Sequence, residues 1–139
     1  MKILGIDYGL KRIGIAVSDD RGIMAFPLVT IENRGDKKNI SAISELVKKH
    51  GVSSIMFGIP QDVVGEDTTM TRIIREFGEK LAIESGLEVV YFNERYSSKD
   101  AEDHIRENLG VTNHRKIAEL VDKMAAAMIL SDYIKDKQK

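Results

Sequence analysis

Three carboxylates in this chain, Asp7, Glu94 and Asp122, stand beside apolar residues that offer them no partner. Asp7 ends the run Ile3-Leu4-Gly5-Ile6 and is followed by Tyr8 and Gly9. Withdrawing an ionised carboxylate from water is costly unless something compensates it. Gly9, lacking a Cβ, lets another backbone or a ligand come close. The same Asp-x-Gly pattern also suits a plain turn, in which the aspartate accepts local hydrogen bonds. Glu94 closes Val89-Val90-Tyr91-Phe92-Asn93, and strand alternation puts it on the face of Val90 and Phe92. An indifferent strand-end acid is the competing reading. Asp122 borders a helical stripe of Ile117, Leu120, Val121, Met124 and Met128. Ala118, Ala125 and Ala126 make that side smooth enough to approach a sheet closely. Pairing of Asp122 with Arg115, Lys123 or solvent would equally account for it.

If the three acids converge, they repel one another and raise at least one pKa until a divalent cation restores the balance. The chain has no cysteine and three histidines, so such a cation would be held by oxygen, which suits Mg²⁺ or Mn²⁺. Two ions about 4 Å apart can activate a water and stabilise the leaving oxygen of a phosphodiester.

The elements that would position these acids follow from apolar spacing. Lys2 to Tyr8, Arg12 to Ser18 and Ile23 to Ile31 read as strands joined by short turns, hence an antiparallel meander. A helix fits Lys37 to His50 and stops at Gly51; a fourth strand fits Ser53 to Ile59. After a loop from Pro60 to Asp67, a helix fits Thr68 to Ser85 and a fifth strand Leu87 to Glu94. A short helix from Ser98 to Asn108 and a long one from Asn113 to Lys135 complete the chain. This order predicts an α/β domain: a mixed five-stranded sheet, three antiparallel strands then parallel additions, flanked by helices. Ligands in such sheets bind where parallel strands end, which is where Asp7 and Glu94 fall.

At 139 residues the chain is expected to form a single domain, 1–139. A formal charge of −1 argues against nonspecific coating of nucleic acid, which runs on phosphate neutralisation. Local basic pairs remain, among them Lys11-Arg12 and Arg95 with Lys99. No signal peptide or membrane span is expected, and the lack of cysteine suits a reducing cytoplasm.

The ordered set Gly5-Ile6-Asp7-Tyr8-Gly9, Lys11 to Asp19, Gly58-Ile59-Pro60 with Gly65, Glu94-Arg95-Tyr96-Ser97-Ser98 and Val121 to Ala126 resembles the bacterial YqgF/RuvX family over nearly the whole chain. That resemblance implies an RNase H-like fold, as in RuvC-type resolvases. It also implies a nuclease with Asp7, Glu94 and Asp122 as its catalytic and metal-binding triad, acting on the 5′ end of pre-16S rRNA or, alternatively, on Holliday junctions. Lys11, Arg12, Arg95, Tyr96 and Lys99 are then the expected nucleic-acid contacts, with Arg95 able to fork across two phosphate oxygens. Tyr8 would stack on an unpaired base or pack against the sheet edge. The partner expected is structured RNA, or branched DNA in the alternative, with no membrane and with the chain a monomer or weak homodimer. The sequence departs from the family pattern at Asn93, where an acid is usual, and at Leu10, where threonine is common. Two other classes stay open: a non-catalytic nucleic-acid-binding regulator, and an actin-like ATPase, which would need two related domains. The three histidines, His50, His104 and His114, are assigned no catalytic part.

Overall fold

The three leading strands pair as their alternation requires. β1 (Lys2–Tyr8), β2 (Arg12–Ser18) and β3 (Ala25–Glu32) form an antiparallel meander in the computed structural model, which describes residues 1–60, 69–94 and 113–138. α1 (Asp36–His50), β4 (Val52–Pro60), α2 (Thr69–Ser85) and β5 (Glu88–Glu94) follow, and α3 (His114–Lys137) closes the fold. β4 adds parallel to β1 and β5 parallel to β4, so the sheet order is β3-β2-β1-β4-β5. The expected helix from Ser98 to Asn108 and the loop carrying Gly65 lie outside the described residues.

Strand β3 starts at Ala25, two residues later than apolar spacing suggests. The Asp19 carboxylate accepts the amides of Ile23 and Met24 at 2.7 and 3.1 Å, so those amides serve the turn and not the sheet. Local capture of backbone donors by an aspartate is what makes it a turn residue.

Alternation sorts the sheet into two faces. Leu4, Ile6, Tyr8, Ile13, Ile15, Ile55 and Phe57 pack against Ile43 of α1 and Ile74, Phe77 and Leu81 of α2. On the other face Ile3, Ala16 and Met56 meet Ala126, Ile129, Leu130 and Ile134 of α3. On this second face the sheet carries Gly5, Gly14 and Ala16 among its larger residues, and the tightest approach of α3 is at Gly14. A Cβ placed there would stand 2.0 Å from the main-chain oxygen of Asp122. Gly14→Ala is therefore expected to force α3 off β2 and to cost about 3 kcal/mol, the upper range for overpacking. Urea denaturation measures it. A loss within about 0.5 kcal/mol, the ordinary scatter of surface changes, would mean that the helix is not seated this tightly.

Candidate active site

The glycine that admits α3 also sets the distance between two of the three acids. Asp7 pairs across the β1–β2 ladder with Gly14, and the backbone of Asp122 occupies the space that a side chain at Gly14 would fill. Asp7 thus lies on the α3 face next to Asp122, although 115 positions separate them in the sequence (122 − 7).

The pair carries strain of an electrostatic kind. Asp7 is half-buried, and its pKa is pushed up to about 6, first by burial and then by repulsion from Asp122. Asp122 does have a counter-charge. The Arg12 guanidinium donates its Nε–H to Asp122 Oδ2 at 2.5 Å. Local spacing offered Arg115, Lys123 or solvent as the competing partners of Asp122; the ion pair observed is with Arg12, 110 positions away, which no local spacing reveals. Among the described residues, no ion pair reaches Asp7.

Glu94 ends β5 in register with Pro60 of β4, so its main chain falls at the same carboxyl edge of the parallel strands. Among the described residues no three potential ligands form a cluster, and the converging acids seen are Asp7 and Asp122. Their donors are hard oxygens, one of them with a raised pKa and no described counter-ion. Such a pair fits a divalent cation, which would relieve both the burial cost and the repulsion.

The basic residues divide. Lys11 is exposed in the β1–β2 turn, next to Leu10, which is 68% exposed. Lys11, Arg12, Thr30, Glu32, Asn33 and Glu119 line a cavity of about 320 Å³, which shares Arg12 with the acid pair but is lined by neither Asp7 nor Asp122. Arg95, Tyr96 and Lys99 lie outside the described residues. Tyr8 is buried on the central strand, its ring 5.1 Å from Phe77 of α2, so it packs in the core under that helix and not at the sheet edge. Alternation already contained that outcome, because Tyr8 shares its face with Leu4 and Ile6.

Arg12→Ala is expected to destabilise the protein by about 1 kcal/mol, a charged hydrogen bond discounted for the partial exposure of Arg12. Added Mn²⁺ should narrow that gap by replacing the lost counter-charge at Asp122. Thermal melts with and without the ion check this, and an unchanged gap would separate Arg12 from any cation site.

A three-strand meander extended by parallel β4 and β5, with α3 laid across the acid-bearing face, defines an RNase H-like α/β domain. The likeness to solved structures agrees. The RuvC of Thermus thermophilus in complex with a Holliday junction substrate matches with a TM-score of 0.62 at 14% identity, covering 99% of this chain and 96% of that one. The fowlpox virus resolvase bound to Holliday junction DNA matches at 0.58 and 15% identity over the full length of both chains. The chain belongs to the RuvX family, whose model, described as a Holliday junction resolvase, matches residues 1–136. Relatives from Endomicrobium trichonymphae (38% identical, 96% of this chain and 94% of the relative) and Chloroflexus aggregans (39%, 95% and 92%) carry the provisional name pre-16S rRNA nuclease. Both descriptions are of enzymes that break phosphodiester bonds in nucleic acid.

Proposed function

We propose that this chain is a divalent-metal-dependent nuclease, residues 1–139 acting as one domain, that hydrolyses phosphodiester bonds at the 5′ end of pre-16S rRNA during ribosome biogenesis in the cytoplasm. The observation that carries the reading is the Asp7–Asp122 pair, brought together at Gly14 and short of positive charge. Family membership and the names of its relatives agree with it. Among the described residues no helix is long and apolar enough to cross a membrane.

Asp7 and Asp122 would hold the ion, with Glu94 as the third carboxylate. Bound Mg²⁺ or Mn²⁺ would supply Lewis acidity toward the attacking water and the leaving oxygen. Arg12 is anchored through Nε, and its remaining donors are suited to a phosphate that enters beside Asp122. Lys11, Arg95 and Lys99 hold neighbouring phosphates as point or forked charges, and Tyr96 stacks on a base.

The family description favours a second substrate, a four-way DNA junction. A resolvase must make two symmetric cuts and therefore needs a stable two-fold dimer. Purified protein is offered a 5′-extended 16S precursor RNA and a four-way junction, each with Mn²⁺, with light scattering alongside. Cleavage of the RNA by a monomer or weak homodimer is the expected result. Symmetric nicking of the junction by a dimer would reverse the substrate. Binding of RNA without cleavage, at equal affinity in Asp7→Asn, would make the protein a regulatory binding factor.

A further inference from the structure

We propose that Asn33 is a positioning residue for the turn that follows Asp7, and that buried Asn39 locks it in place. The proposal rests on the nuclease reading for its kinetic consequences and on the hydrogen-bond geometry for its mechanics. Asn33 follows β3 directly and uses its donors and its side-chain acceptor on two fronts. Toward the site, its Nδ2 donates to the Gly9 carbonyl at 3.0 Å and to the Tyr8 hydroxyl at 3.2 Å, while its main-chain N–H donates to the Lys11 carbonyl at 2.9 Å. Toward α1, its Oδ1 accepts from Asn39 Nδ2 at 2.8 Å and from the Gly35 N–H at 3.2 Å.

Asn39 is 1% exposed, and its own Oδ1 accepts the Arg34 N–H at 3.0 Å. Both amides are thereby fixed in orientation: each oxygen faces donors, and each NH₂ faces an acceptor. A satisfied network of this kind, partly buried and anchored on buried Asn39, favours one geometry.

What that geometry controls is the turn between Asp7 and Arg12. A Cβ at Gly9 would stand 2.5 Å from the Arg12 carbonyl oxygen, so the turn is tightly folded. Asn33 grips it on both sides of exposed Leu10, through Gly9 and Lys11. One end of the turn carries Asp7 and the other Arg12, which is paired with Asp122. Loosening the grip lets the two acids and their counter-charge drift relative to one another. Asn33 touches none of the acids and acts through the backbone that bears them. Partners that orient ligands from behind are worth about 10–100-fold in metal affinity or activity.

Asn33→Asp keeps the shape and removes the side-chain N–H donors to Gly9 and Tyr8 while the main-chain bond to Lys11 remains; Asn39→Ala removes the lock and leaves Asn33 intact. Ile43→Val, a core change in α1, serves as the control that lowers stability without touching the network. ¹⁵N relaxation of Gly9 and Leu10 is recorded without metal, Mn²⁺ affinity by calorimetry, and RNA cleavage as separate kcat and KM. Both network variants should mobilise Gly9 and Leu10, weaken Mn²⁺ binding about tenfold and lower kcat about tenfold, with RNA KM unchanged within about twofold. Ile43→Val should change none of these. If the network variants behave like Ile43→Val, Asn33 is only structural and the proposal is overturned. If the wild type binds no Mn²⁺ and cuts no RNA, the nuclease reading fails by itself, and the relaxation data alone decide whether Asn33 holds the turn.

Discussion

Asp7→Asn is expected to make the metal-free protein more stable and to remove its activity in the same step. Asp7 has a pKa of about 6 in the fold against 3.8 for an ordinary aspartate. A carboxyl whose pKa rises on folding destabilises the native state wherever it is ionised, because the unfolded chain ionises it more readily. That rise corresponds to about 3 kcal/mol at neutral pH as an upper bound. Asparagine keeps the shape and removes both the buried charge and the repulsion from Asp122. The sign fixes a pH window. The advantage of Asp7→Asn is full above pH 6, shrinks as pH falls from 6 toward 3.8, and vanishes below that, where both states protonate Asp7. Urea melts of both proteins at several pH values measure it. In the same variant the ion loses a charged ligand. Several kcal/mol of transition-state stabilisation go with it, about 10³-fold in single-turnover cleavage. A residue kept for the fold would show the reverse, lost stability with activity to match.

Proton and metal compete for Asp7, which gives the second large effect. With a pKa of about 6, Asp7 is about nine-tenths ionised at pH 7 and about one-tenth at pH 5, so Mn²⁺ affinity should fall about tenfold between them. Below pH 6 each ion bound should displace close to one proton, visible as a dependence of the calorimetric heat on the buffer's ionisation enthalpy. Asp7→Asn should lose both dependences along with most of the affinity. An Mn²⁺ affinity flat from pH 7 to pH 5 in the wild type would mean that Asp7 is not a ligand.

Much of the fold is written in local pattern. The near-continuous apolar run of β1, the alternation of β2 and the three-and-four spacing of α1 and α2 fall within a residue or two of the observed elements, because each pattern matches the surface that its element buries. The late start of β3 is where a local polar contact prevails: Ile23 and Met24 are apolar enough for a strand, yet the Asp19 carboxylate takes their amides.

The site is legible differently. Asp7 and Asp122 stand out as acids on apolar surfaces, and a resemblance in motif order links them to Glu94. Their actual environment comes from contacts across the chain. Arg12 reaches Asp122, Asn33 reaches Gly9, and the Asp122 backbone fills the space above Gly14. Of these, Gly14 left the clearest trace, as a small residue in the middle of an otherwise well-filled strand, where glycine often marks the close approach of another backbone.

On the proposed reading, Asp7 and Asp122 are two ligands of one divalent-cation site. Anomalous scattering from crystals grown with Mn²⁺ at pH 7 tests it most directly. A peak is expected within coordination distance of both carboxylates, with Glu94 drawn to the same ion, and no peak there in Asp7→Asn crystals. A fully active protein whose crystals show no Mn²⁺ between Asp7 and Asp122 at saturating concentration would contradict it.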